Sequence, residues 1–364
     1  MTYLALLVLA ALDAAGYGVI APVVPEIADR TGAGPTTMGL LVASFALGQL
    51  AGYALAGRIV TTHGARVVLA GSLLLVVAGD LGFVLLSGLD VWFPARIVQG
   101  VGAAGLWLGV TFAVLERWPG EEYRRLTGVL AAYAVGGIAG PAFGAVDGVA
   151  GPFLVHLGVT VASGAAVVVL RRPQLRPQFR SDRAALRTPG FRVASIGILL
   201  VALGLGTLEG PLPLHFGERL DQLGLAALYV GASAAVGVAS VAAARLTPSV
   251  ALYAAVGLVP LGIGVAAALD TVPLWVIGVG IAAIGLGLGE AGALGILLED
   301  VGTERIVLAL VVWSQVWGVG YLVGPALAGG LAGAVGTGAV VLVPLTAAAL
   351  VVAAAFAARP ALVP

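Results

Sequence analysis

Largely apolar runs of about 20 residues recur along this chain, and they constrain its fold more than any other feature. Cut at charged or Pro/Gly-rich breaks, the sequence yields twelve of them, at roughly 3–25, 36–56, 67–87, 93–116, 126–146, 152–170, 193–213, 223–244, 249–269, 274–297, 307–330 and 334–357. Each is long enough, as a helix, to cross a hydrocarbon layer about 30 Å thick. Lipid offers no partners to backbone polar groups, so such runs must be helical. The predicted fold class is therefore an all-α membrane protein with twelve transmembrane helices. Composition agrees: 60% of residues are hydrophobic and 10% charged, against roughly 25% charged in soluble domains.

Charge placement sets the predicted orientation. The 18 basic residues are all Arg, balanced by 18 acidic ones. Fifteen of the Arg fall in the loops that share a side with the termini; only Arg30 and Arg219 fall opposite, and Arg96 lies within a span. Basic loops stay cytoplasmic, which predicts cytoplasmic termini and a multi-pass protein of a prokaryotic inner membrane. Net charge zero leaves no basic field for nucleic acid. The absence of Cys excludes disulfides, thiolate metal sites and Cys nucleophiles. His63, His156 and His215 are far apart, without metal-ligand spacing, and read as scattered interfacial or loop side chains, so no metal is expected.

The loop 171–192, rich in Arg, divides the chain nearly in half. This predicts a six-helix bundle over 1–170, a cytoplasmic basic linker over 171–192 and a second bundle over 193–364. The linker is either a topogenic charge run or in part an interfacial helix. The halves look duplicated. Gly136-x-x-x-Gly140-Pro141-x-x-Gly144 in span five matches Gly320-x-x-x-Gly324-Pro325 in span eleven, and 320 minus 136 is 184, about half the chain. Glycines four apart let helices approach closely. The pattern reads either as plain packing or, in a two-half protein, as a seam on which the halves rock.

Polar residues inside spans are costly and mark function. Arg96, Gly100, Ala103 and Trp107 share one face of span four. Arg96 faces the interior beside an acid or water, or snorkels to the outer end. Asp13, Asp80, Glu209 and Glu290 lie in spans one, three, seven and ten, where carboxyls can serve as proton carriers or as helix-joining hydrogen bonders. No nucleophile triad, metal cluster or phosphate loop is visible, and the chain is not read as an enzyme.

The chain resembles a major facilitator superfamily transporter. Arg96-x-x-Gln99-Gly100-x-Gly102-Ala103-Ala104 resembles that family's fourth-helix motif, and Gly136-x-x-x-Gly140-Pro141-x-x-Gly144-Ala145 the fifth-helix motif of its twelve-helix drug:proton antiporter branch. Pro22-x-x-Pro25 also fits that branch. The second loop, Gly57 to Arg66, departs from the pattern, with Thr61 where an Asp is expected. The resemblance implies two pseudo-symmetric six-helix bundles, the major facilitator fold. It places Asp13, Tyr17, Arg96, Trp107, Glu209 and Glu290 around a central cavity as the substrate site. Asp13, Arg96, Glu209 and Glu290 would couple protons, with Asp13 and Arg96 as a polar pair. Trp313 and Trp317 share the face of Gly320 and Gly324 and read as packing, whereas Gln315 lies off it and is a candidate substrate contact. The implied function is a proton-coupled antiporter that exports small amphipathic organic compounds or drugs by alternating access. The alternatives are a proton symporter or facilitator for a nutrient or metabolite, and a non-transporting membrane receptor. Protons are the expected coupling ion, with no cofactor. The expected partners are a small-molecule substrate and membrane lipids, the chain acting as a monomer.

Overall fold

A computed structural model describes residues 2–118, 120–170, 183–301 and 305–362. The α-helices are α1 (Thr2–Gly18), α2 (Val24–Thr31), α3 (Pro35–His63), α4 (Ala65–Leu85), α5 (Leu89–Arg117), α6 (Glu122–Phe143), α7 (Ala150–Val169), α8 (Pro189–Glu209), α9 (Leu212–Gly217), α10 (Gln222–Ala243), α11 (Pro248–Ala268), α12 (Val272–Val301), α13 (Ile306–Val335) and α14 (Leu342–Leu362). Among the described residues, twelve helical stretches are long and apolar enough to cross a membrane. The first is two helices joined by a 3-10 turn at Ala21–Val23. Pro22 and Pro25 lack the backbone N–H that would continue a helix, so the break falls between α1 and α2. Gly210 and Pro211 break the seventh span in the same way between α8 and α9. At the second loop, α3 ends at His63, and Gly64, at φ +85°, turns the chain into α4. That backbone angle favours glycine.

The helices form two compact units. One comprises Met1–Ala33, Ser44–Gln178 and Leu220–Ala234; the other comprises Gly34–Ala43, Phe179–Arg219 and Ala235–Pro364. The division is thus not a single cut at the basic loop, because the first turns of α3 belong with the second unit and the first half of α10 with the first. Of the expected linker, residues 171–182 lie outside the described residues. Beyond them Arg183–Arg187 form a 3-10 turn, and the Phe191 N–H donates to Thr188 Oγ1 at the start of α8.

Within the first unit, α1 packs on α6 and α7, and α4 on α5 and α7; within the second, α8 packs on α13, α12 and α14, and α11 on α12. The duplication extends to single contacts. A Cβ added at Gly140 of α6 would lie 3.0 Å from Ala15 Cα of α1, and one added at Gly324 of α13 would lie 3.0 Å from Leu203 Cα of α8. Pro141 fills the space over Gly18 as Pro325 fills that over Gly206. Gly136 meets the backbone of Ala11, Gly320 meets Leu199 and Ala202, and Gly144 meets Pro22. Small residues at i and i+4 bring the two backbones together with no side chain between them.

The glycine faces of spans five and eleven pack α6 on α1 and α13 on α8. The face of α13 also meets the start of α3, where a Cβ added at Gly39 would lie 3.1 Å from Gly329 Cα. Close backbone approach of this kind needs two facing helices of fixed register.

Candidate functional site

The first unit holds a connected set of polar side chains in its interior. Asp80, at 0% exposure on α4, faces His156, at 1% on α7. The imidazole Nδ1 lies 3.0 Å from Asp80 Oδ1 and 2.9 Å from Oδ2. Gln99 Nε2 on α5 donates to Asp80 Oδ1 at 2.6 Å, and Arg96 Nη1, one turn earlier, donates to Gln99 Oε1 at 2.9 Å and to the Gly16 carbonyl at 3.3 Å. The Arg96 guanidinium also lies 4.3 Å over the Phe45 ring, a favourable position for a desolvated cation. Five helices, α1, α3, α4, α5 and α7, therefore converge here, and charge-assisted bonds offset the desolvation that burial imposes.

Two further groups adjoin this set. Gln49 donates to the hydroxyl of Tyr17, and more weakly at 3.4 Å to that of Tyr53. Tyr17 stands edge-on to Phe45. Asp13 is 2% exposed on α1, and both its carboxylate oxygens lack a hydrogen-bond partner among the described residues. A cavity of about 10 Å³ separates the helices here, lined by Asp13, Gly16, Phe45, Gln99, His156 and apolar neighbours.

The second unit carries a smaller polar contact. The Tyr321 hydroxyl of α13 donates to Glu209 Oε2 at the end of α8, and the Tyr321 ring stacks on Trp317 at 5.0 Å. Trp313 Nε1 donates to the Ala194 carbonyl at 3.2 Å. Trp313 thus ties α13 to α8, as its shared face with Gly320 led one to expect. Glu290 and Gln315 are partly buried, on α12 and α13.

Against the sequence expectations, Asp13, Tyr17, Arg96 and Trp107 fall in the first unit, and Glu209, Glu290 and Gln315 in the second. Trp107 packs edge-on against Tyr133, with ring centroids 5.2 Å apart. Arg96 is fully buried rather than snorkelling. Its hydrogen bonds go to Gln99 and Gly16, while Asp13 accepts none, so the expected Asp13–Arg96 pair is replaced by a chain that ends on Asp80. The guanidinium reaches along its own helix to Gln99, which relays to the acid on α4. His156 is the second correction: it is an interior hydrogen-bond partner of Asp80, not a scattered loop histidine. Its only sequence signal was its place inside an apolar run.

The family model for the Major Facilitator Superfamily matches residues 6–254. Multidrug resistance protein 2 of Bacillus subtilis (strain 168) is 30% identical over 211 residues, which is 53% of this chain and 53% of that protein. The chain thus spans about half the length of the curated relatives it matches. Two solved structures share the fold at 16% identity. A bacterial homologue of the human lysosomal transporter Spinster, inward-facing and unoccupied, has a TM-score of 0.72 over 98% of this chain and 95% of its own. The D-xylose-proton symporter has 0.73 over 97% and 96%. Twelve apolar helices, contacts duplicated between two units and a family match over more than half its length place this chain in the Major Facilitator Superfamily, a family of membrane transporters.

Proposed function

We propose that this protein is a proton-coupled antiporter that exports small amphipathic organic compounds by alternating access between its two six-helix bundles. The observation that carries the reading is that each unit keeps titratable side chains inside its membrane-spanning helices: Asp13, Asp80 and His156 in one, Glu209 in the other. Such groups are costly in a low-dielectric interior and persist where they bind ions or protons. The likeness to a multidrug resistance protein supports the direction and substrate class. Tyr17, Trp107 and Gln315 supply aromatic and amide surface for a substrate. Asp13, Arg96, Glu209 and Glu290 form the charge set that exchanges it for protons, and both termini face the cytoplasm of a bacterial inner membrane.

The test uses purified protein in liposomes, with ethidium as an amphipathic cation and pyranine as an internal pH probe. A pH gradient is expected to drive ethidium against the proton flow. Movement of both in one direction favours a symporter, and ethidium movement without proton flux overturns the coupling.

A further inference from the structure

The hairpins α4–α5 and α11–α12 repeat one packing register. A Cβ added at Gly102 of α5 would lie 3.0 Å from Val76 N of α4, and one added at Gly285 of α12 would lie 2.9 Å from Val259 N of α11. Gly109 meets the Ala65 carbonyl as Gly292 meets that of Pro248. Both members of each contact are displaced by 183 residues, since 285 minus 102 and 248 minus 65 give the same number. Between these contacts Trp107 corresponds to Glu290. On the next helix Gly140 and Gly324 set the offset at 184, so Tyr133 of α6 corresponds to Trp317 of α13. The first unit fills these two positions with rings in contact, Trp107 edge-on to Tyr133 at 5.2 Å. The second unit, in which α12 likewise packs on α13, puts a carboxyl and an indole at the same two positions.

Glu290 differs from the other acids inside the spans. Asp80 is sealed and bonded to His156 and Gln99, Glu209 is held by Tyr321, and both oxygens of Asp13 are buried. Glu290 is partly exposed between the buried stretches Gly285–Gly289 and Gly292–Leu294, and it makes no hydrogen bond or ion pair among the described residues. Trp107 interrupts a buried stretch of α5 in the same way. A carboxyl in a membrane span is costly to keep without a partner, so an acid that is both accessible and unpartnered calls for a cation supplied from outside the chain. Trp317 is partly exposed as well, and an indole is the ring that attracts a desolvated cation most strongly. Its orientation is fixed from behind, because Tyr321 stacks on it at 5.0 Å while donating to Glu209.

We propose that Glu290 and Trp317 form a subsite in the second unit for the positive end of an organic cation, with Trp107 and Tyr133 as its uncharged equivalent in the first. That the occupant is a transported substrate rests on the exporter reading above. The carboxylate supplies the counter-charge and the indole face the cation–π contact, so Trp317 sets specificity as well as packing. Quaternary ammonium and phosphonium groups suit the pair, because they carry charge without N–H groups that would need acceptors. Tyr321 and Glu209 act as positioning residues behind the indole.

The test is equilibrium binding of tetraphenylphosphonium to the purified full chain in detergent, beside triphenylphosphine oxide as an uncharged aromatic probe. Glu290→Gln and Trp317→Leu should each weaken tetraphenylphosphonium binding about tenfold or more, and leave any binding of triphenylphosphine oxide within about twofold. Trp107→Leu, which removes a ring and no charge, should weaken both probes alike. The loss at Glu290 is one of affinity, so counterflow at saturating ethidium persists. Should Trp317→Leu fail to fold, Trp317→Phe and Trp317→Tyr decide, since both keep a ring for Tyr321 to stack on and both should bind the cation less well than Trp. Unchanged tetraphenylphosphonium binding in Glu290→Gln or in the Trp317 variants overturns the subsite, as does an equal loss for both probes. So does an unsubstituted protein that does not bind tetraphenylphosphonium. Charge-dependent binding without proton-driven movement in liposomes overturns the antiporter reading and leaves the subsite standing.

Discussion

Trp92 and Trp275 close equivalent hairpins in the same way: each indole Nε1 donates to the carbonyl six residues earlier, Leu86 at 3.3 Å and Leu269 at 2.5 Å. The offset, 275 minus 92, is again 183. Both rings are buried, so each indole N–H finds its partner on the turn before its own helix. Trp92→Phe and Trp275→Phe should each lower stability by about 1 kcal/mol, the net worth of one hydrogen bond. Thermal unfolding in detergent would show it, and equal losses at both sites would establish that the contact is duplicated in energy as well as geometry.

Gly140→Leu and Gly324→Leu should destabilise their units by about 1–3 kcal/mol, because a side chain there must displace the α1 or α8 backbone. Transport that falls only in step with the unfolding temperature marks these glycines as packing, whereas loss of transport at unchanged stability marks a moving seam.

Tyr321→Phe removes the donor to Glu209. Losing that bond to a buried carboxyl should cost about 1–3 kcal/mol. Glu209→Gln keeps a hydrogen-bonding group and should fold, yet lose ethidium accumulation driven by a pH gradient while energy-independent counterflow persists. Glu290→Gln should behave likewise. Accumulation at unsubstituted rates in both variants and in their double would make these acids structural.

Orientation can be read with introduced cysteines, because the chain has none of its own. Thr62 and Glu218 are exposed and suit the purpose. Gln222 does not, since its side chain bridges to the Val146 and Gly148 carbonyls. In intact cells Glu218→Cys should react with a membrane-impermeant maleimide and Thr62→Cys only with a permeant one. The reverse pattern would place the termini outside.

Arg124 and Arg125 hold the Glu121 carboxyl below its ordinary value through hydrogen bonds of 2.6 and 3.0 Å. A depressed folded value means that this contribution to stability is full above about pH 4.3 and is lost as pH falls through the folded value. The group is solvent-exposed, so the effect should be small and salt-sensitive. Unfolding temperatures of the unsubstituted protein and Glu121→Gln should therefore converge on acidification, and converge sooner in high salt.

The sequence by itself determined the twelve helices and the duplication signalled by Gly136 and Gly320. These features rest on hydropathy over some 20 residues and on backbone chemistry local to each helix. Trp313 was legible as packing for the same reason, since helical periodicity places it on the face of Gly320. Only the tertiary structure decided which helix each glycine face meets. Only it joined His156 to Asp80, 76 residues away and two helices apart, and redirected Arg96 from Asp13 to Gln99. Periodicity along one helix says which side is polar. The partner of a buried charge is set by whichever helix packs against that side, a long-range choice that no local pattern carries.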